Sequence, residues 1–332
     1  MDDFYQDNQT DCGKMSALEI MRLNRTGPEI TRLGMGCWAI GGHGWGTIKD
    51  EDSIHAVQCA MDNGVTLFDT ADAYGLGKSE FLLTDALGSS RKDVIIASKG
   101  GVRWNDQGQV WSDTTPDYLK QAVENSLRRL KLDQIPLYYI HKPDGVTPVE
   151  ASIEALASMQ EEGKIGAIGL ANFSADQLLQ ALRIAPIAAV QVRLNIFERK
   201  AAMDLIGLCK EHEITLVAWG ALADGLLTGK FTEHVKFSDD DHRSRMQEFT
   251  SEKFPIYCKC VQSLQQLARD KGQRMSHLAL RWVLDFQPIT CALFGAKTDK
   301  QVLENIGADG WNLTNEELDT IDSIVSQLEN SV

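Results

Sequence analysis

The most constraining feature of this 332-residue chain is an alternation. Apolar, strand-like runs lie near 33–37, 66–70, 93–99, 135–141, 166–171, 188–194, 214–219 and 290–294. Patterns with a helical period lie between them, near 51–63, 78–87, 116–131, 148–162, 175–185, 199–212 and 257–286, the last split near Gly272, and one more follows near 299–306. Strands buried on both faces read as such continuous apolar runs. Strands separated by helices pair in parallel, because each crossover returns the chain to the same end of the sheet. An α/β fold follows. A doubly wound open sheet fits the alternation, but eight strands without a domain boundary favour closure into a (β/α)8 TIM barrel.

Smaller signals decorate this frame. Ile20–Leu23 and Glu29–Arg32, separated by Asn24-Arg25-Thr26-Gly27, read as an N-terminal β-hairpin. Thr115-Pro116 and Thr147-Pro148 mark helix starts, Ser174 is an N-cap, and Thr314-x-x-Glu317 is a capping box opening an extra C-terminal helix over 314–330. Residues 100–115 and 225–255 read as long loops, and the run Ser238-Asp239-Asp240-Asp241 in the second reads as solvated surface. Residues 1–17 read as a disordered tail and 18–332 as a single barrel domain.

Composition excludes some functions. Lys and Arg number 33 against 47 Asp and Glu, a formal charge of −14, which argues against nucleic-acid phosphates or an anionic membrane as partner. The polar stretch Met1–Met15 lacks the apolar core of a secretory leader, and no run approaches a membrane span. The seven cysteines outline no disulfide framework, Cys258-x-Cys260 reads as two ordinary thiols, and the histidines show no metal-ligand spacing. A cytoplasmic location and no metal are the expectation.

Three apolar runs end in ionisable residues: Leu67-Phe68 in Asp69, Ile95 to Ser98 in Lys99, and Leu137 to Ile140 in His141. In a closed parallel barrel these ends share one face, the face where barrel enzymes do chemistry. A buried Lys keeps its charge only beside a carboxylate, which Asp69 on the adjacent strand supplies. The plain reading is an ion pair holding two strands together. Adding Tyr74 and His141 turns it into a proton-transfer site, with the Lys99 ammonium lowering the phenol's pKa and His141 orienting a carbonyl oxygen. With no nucleophilic side chain or metal set evident, a hydride from a cofactor is the remaining attacker.

Two motifs mislead. Gly34-x-Gly36-x-x-Ala39 resembles a dinucleotide fingerprint, but the glycines at 41, 42, 44 and 46 forbid the helix it requires. Asp72–Ser79 approaches a phosphate loop without its first glycine.

Phe68-Asp69-Thr70-Ala71-x-x-Tyr74-Gly75-x-Gly77-x-Ser79-Glu80, Ser98-Lys99-Gly100-Gly101, Leu137 to Asp144 and Leu33 to Trp38 resemble the signature of the aldo-keto reductase superfamily, and the likeness runs from about residue 20 to 310. It implies NAD(P)H-dependent reduction of an aldehyde or ketone, with Tyr74 as general acid, Lys99 tuning it, Asp69 pairing with Lys99 and His141 positioning the carbonyl. By the same resemblance, Asn172 and Gln191 bind the carboxamide of nicotinamide. Ala171 stands where the family has serine. Trp219 stacks on the ring, and Gly220, Ala221, Leu222 and Gly225 wrap the diphosphate, the first two replacing the usual Ser-Pro. Gly295, Ala296, Lys297, Gln301, Glu304 and Asn305 match the adenosine-binding segment, with Lys297 placed for a 2′-phosphate, so NADPH is preferred over NADH. Trp38, Trp45 and Trp104 are expected at the substrate mouth. Residues 100–113 are most like bacterial members acting on small or sugar-derived carbonyls. Three other readings stay open: a dehydrogenase oxidising a sugar or small alcohol, a low-turnover cofactor-binding regulatory subunit, and an isomerase without dinucleotide.

Overall fold

The computed structural model describes residues 17–329 except 43, 47, 106, 108, 233, 234, 288 and 289. The tail expected over 1–17 therefore lies outside the described residues, apart from residue 17. Eight strands close a barrel: β1 (Leu33–Gly36), β2 (Leu67–Asp69), β3 (Ile95–Gly100), β4 (Leu137–Ile140), β5 (Ile168–Ala171), β6 (Ala189–Arg193), β7 (Thr215–Trp219) and β8 (Thr290–Gly295). Each pairs in parallel with its sequence neighbours, and β8 returns to β1 with Phe294 opposite Met35. Helices α1 (Asp50–Asp62), α2 (Lys78–Leu87), α3 (Pro116–Leu130), α4 (Val149–Glu161), α5 (Ala175–Leu182), α6 (Lys200–Glu211), α7 (Phe254–Asp270), α8 (Met275–Phe286) and α9 (Asp299–Ile306) form the outer ring, and α10 (Asn315–Glu329) packs on α7.

Successive strand side chains face opposite ways, and here the two faces sort into two clusters. Met35, Phe68, Ile96, Tyr138, Leu170, Val190 and Phe294 lie in the cluster between barrel and helices. Leu67, Ala97, Tyr139, Ala171, Val217 and Leu293 fill the interior. The barrel is thus a packed core rather than a pore. Gly169 makes room for Tyr139, because a Cβ there would lie 2.4 Å from the ring. The expected hairpin, Ile20–Arg22 with Glu29–Thr31, places Leu23 and Ile30 in the same interior cluster.

Local signals behave as the residue chemistry requires. Ser174 and Gln177 form a reciprocal capping box on α5, and Thr314 with Glu317 does so before α10. The 34–39 glycine motif enters a 3-10 turn, Ala39–Gly41, rather than an α-helix. Two expectations are corrected. The stretch 100–115 is not a plain loop: Val102–Trp104 and Val110–Ser112 pair as an antiparallel hairpin. The segment after β7 holds 3-10 turns at Ala223–Thr228, His242–Arg245 and Gln247–Phe249 and a core of Phe231, Phe237, Phe249 and Phe254. Within it, Asp241 is buried, because it caps the second turn and grips Arg243 through both carboxylate oxygens.

Candidate active site

The inward alternation that fills the barrel carries on to its rim. Two residues beyond Leu67, Ala97, Tyr139, Ala189 and Val217 on the same faces stand Asp69, Lys99, His141, Gln191 and Trp219. Lys99 is fully buried, and its Nζ lies 2.5 Å from Asp69 Oδ1 and 2.9 Å from the Thr70 carbonyl oxygen. Gln191 Nε2 donates to the other Asp69 oxygen at 2.8 Å. Tyr74 hangs over this pair on the turn after β2. That turn is held down where Asp72 N–H donates to the Lys99 carbonyl and where Gly75, at φ 60°, meets Gly41 so closely that a Cβ would lie 2.3 Å from its oxygen. Lys99 Nζ sits 4.9 Å from the Tyr74 ring centroid, and the rings of Tyr74 and His141 meet edge to face at 5.6 Å.

Burial dominates the protonation states. It opposes the charge on Lys99, but Asp69 outweighs it and holds the ammonium above its usual range. Tyr74 corrects the expectation of a lowered phenol. Burial penalises the phenolate, and the pull of Lys99, partly cancelled by Asp69, does not overcome it, so Tyr74 is raised. Burial, followed by the charges of Lys99 and Lys142, pushes His141 down to about 3, so the imidazole is neutral. Its Nδ1 is enclosed with no partner among the described residues, which leaves Nε2 as the nitrogen to donate. The group therefore presents a protonated phenol, a neutral imidazole and a fixed positive charge at one point.

From this point a groove of about 390 Å³ runs across the rim. Asp69, Tyr74, Trp38 and Trp45 border one end. Trp219, Gly220, Ala221, Leu222 and Gly225 line it as well, as do Gly295, Ala296, Lys297, Gln301, Glu304 and Asn305 around the start of α9. Trp38 stacks near Tyr74 at 6.2 Å and meets Trp45 at 5.2 Å. Trp45 lies between the cations of Arg243 and Lys297, 5.4 and 5.2 Å from its ring, and its carbonyl accepts from Lys297 Nζ at 2.8 Å. Trp45 thus joins the Trp38 side of the groove to Lys297.

Not every candidate lines the groove. Asn172 is committed to protein partners: Nδ2 donates to the His141 carbonyl at 3.0 Å, and Oδ1 accepts from Trp219 Nε1 at 3.1 Å. Gln191 is buried against Asp69. Trp104 stands on the hairpin after β3, apart from the groove. Arg193, Asp224, His242 and Arg243 were not singled out in sequence. Arg193 had a signal, since it sits two residues beyond Gln191 on the same strand face. Among the described residues, no group of His, Cys, Asp and Glu is placed to hold a metal ion, and no helix is long and apolar enough to cross a membrane.

A closed parallel barrel with a buried Asp–Lys pair under a rim tyrosine, beside a groove ending at a helix start, defines a class of oxidoreductase. The chain belongs to the aldo/keto reductase family, whose sequence profile matches residues 32–326. Members are NAD(P)H-dependent oxidoreductases, and this chain is an enzyme of that kind. It is 37% identical over 318 residues to aldo-keto reductase YhdN of Bacillus subtilis (strain 168), covering 95% of both chains. It is 32% identical to aldo-keto reductase yakc [NADP(+)] of Schizosaccharomyces pombe (strain 972 / ATCC 24843), covering 84% of each. Among solved structures, glycerol dehydrogenase AKR11B4 from Gluconobacter oxydans superposes with a TM-score of 0.86 at 36% identity, over 93% of this chain and 95% of that one.

Proposed function

We propose that this enzyme reduces an aldehyde or ketone with NADPH, taking the proton from Tyr74. The observation that carries the reading is the buried Lys99–Asp69 pair beside Tyr74, with the neutral His141 ring edge to face with the phenol. NADPH, when bound, supplies the hydride. The groove suits it: an aromatic side at Trp219, backbone of 220–225 for the diphosphate, and a helix start with Lys297 and Gln301 for the adenosine end. His141 donates a hydrogen bond to the substrate oxygen and fixes its place. Tyr74 then gives up its proton to that oxygen, and the Lys99 ammonium stabilises the phenolate left behind. A raised phenol pKa suits this role, since the acid stays loaded at neutral pH. Lys297 favours the 2′-phosphate form of the cofactor.

A second reading runs the same groups backward, with Tyr74 as base toward an alcohol. The glycerol dehydrogenase among the structural relatives favours it. Initial rates with NADPH plus a panel of aldehydes and keto-sugars, against NADP⁺ plus the matching alcohols, decide the direction. Absence of NADPH-dependent turnover on every carbonyl in the panel would overturn the first reading.

A further inference from the structure

The stretch Asp72–Ser79 approaches a phosphate loop in sequence, yet both its ends are sealed in protein: Asp72 is 1% exposed and Ser79 is wholly buried. Ser79 Oγ donates to the Cys37 carbonyl at 2.8 Å and lies 2.9 Å from Thr70 Oγ1, and its backbone N–H donates to the Tyr74 carbonyl at 3.1 Å. Thr70 in turn receives the Lys99 ammonium on its carbonyl. Glu80, also wholly buried, accepts from Ser98 Oγ at 2.6 Å and from Arg129 Nε at 2.5 Å. The first turn of α2 thus ties down both the tyrosine turn and the lysine strand. Between these anchors Gly75, Leu76 and Gly77 are all left-handed, at φ 60°, 55° and 93°. That conformation is strained for leucine, so the turn carrying Tyr74 stays in place only because its surroundings hold it.

Asp72 is the anomaly in this packing. Its backbone N–H donates to the Lys99 carbonyl at 3.1 Å, but neither of its enclosed carboxyl oxygens has a hydrogen bond among the described residues. The nearby cations are already engaged, Lys99 by Asp69 and Arg129 by Glu80. The titratable groups around it are Glu80 of α2, Arg129 and Tyr118 of α3, Lys99 of β3 and Tyr138 of β4. A carboxylate there would be a buried charge without a partner, facing a second carboxylate. Such a group keeps its proton instead. Burial and then the charge of Glu80 outweigh the pull of Arg129, the Ala73 amide and Lys99, and hold the Asp72 carboxyl well above its usual range.

We propose that Asp72 is a positioning residue that works as an uncharged carboxylic acid, filling the space behind the strained turn so that Tyr74 keeps its place beside the Lys99 ammonium. This rests on the reading of Tyr74 as the acid. Uncharged, the side chain adds no second carboxylate to compete with the phenolate for Lys99. Without its bulk, the left-handed residues have room to relax, and a small displacement of the phenol is enough to slow proton transfer.

The test compares full-length wild type with Asp72→Asn, which keeps the shape without a charge, and Asp72→Ala, which removes both. Asp72→Ala should lower kcat tenfold or more with the Kd for NADPH unchanged, and Asp72→Asn should restore kcat to within threefold of wild type. Stability gives an independent reading. An acid that holds its proton more tightly when folded costs the fold stability as pH rises above the ordinary carboxylate range. The melting temperature of Asp72→Asn minus that of wild type should therefore widen from pH 5 to pH 8. A merely structural filler would lower the melting temperature of Asp72→Ala and leave its kcat within twofold, which overturns the positioning role. A kcat in Asp72→Asn as low as in Asp72→Ala, or a melting difference that stays flat or narrows, overturns the uncharged state. The infrared spectrum of the wild type at pH 7 should hold the carbonyl band of a protonated carboxylic acid, and its absence overturns the proposal even if neither variant folds. Full activity in Tyr74→Phe overturns the acid reading beneath, whereas an inactive Tyr74→Phe with a normal Asp72→Ala overturns the positioning alone.

Discussion

Asp69, Lys99 and Trp219 stand on β-strands, while Asp224, His242 and Arg243 stand on 3-10 turns of the strap, the segment after β7, and both sets border or underlie the same groove. The first set is fixed by ladder bonds and strand alternation, so its geometry follows from the closure of the sheet. The second is fixed by ion pairs, left-handed residues and a small phenylalanine cluster. Proton transfer needs sub-ångström placement and belongs on the rigid part. Under the proposed reading, grip on a dinucleotide has to be made and broken each turnover, and falls to the part held by side-chain pairs rather than by ladder bonds.

That contrast can be broken at several points. The largest effect is expected on the rigid side: Tyr74→Phe should lower kcat by about 10³-fold or more, with NADPH affinity by fluorescence titration nearly unchanged. A variant that kept most of its rate would remove Tyr74 as the acid. Next, Lys99→Met should cost about 10²-fold in kcat, as the loss of a preorganised charge does, and should move the alkaline fall in rate to higher pH, because the ammonium that lowers the phenol's pKa is gone. The pH profile of carbonyl reduction sharpens the same side. The acid works while protonated, so with Tyr74 raised the rate should stay level across neutral pH and fall only as pH climbs beyond the ordinary phenol range. Because burial and the nearby ammonium groups hold His141 well below the usual imidazole range, no inflection should appear between pH 5 and 8 from that residue. On the groove side, Lys297→Met should reduce the preference for NADPH over NADH by about tenfold, read as a ratio of kcat/KM values. The effect on activity should be smallest in the core beneath both: Gly169→Ala overpacks Tyr139 and should cost about 1–3 kcal/mol in denaturant unfolding, with kcat changed by less than the tenfold above.

Much of the rigid half was legible in the chain. Period-two patterning sends Asp69, Lys99, His141, Gln191 and Trp219 to one interior rim, and the eight apolar runs mark the strands within a residue or two. The strap was not legible. Its order comes from pairs far apart in sequence, such as Arg193 with Asp224 and His242 with Gly44, and no local period announces them. Asp241 illustrates the point: read alone it is part of an acidic surface run, and only the neighbouring guanidinium and the turn it caps bury it. The raised pKa of Tyr74 is illegible in the chain for a related reason. Lys99 was visible, but the depth of burial, which outweighs it, is a property of the closed barrel.

The stopper beneath the barrel has a kinetic corollary. Leu23 and Ile30 from the hairpin pack with Tyr139 and Leu67 and fill the axis from below among the described residues, so the rim that carries Tyr74 is the open side. Under the proposed reading, nicotinamide laid against Trp219 takes the inner berth and the carbonyl compound the outer. On that reading the expected order is dinucleotide first in and last out, and product-inhibition kinetics with the alcohol check it.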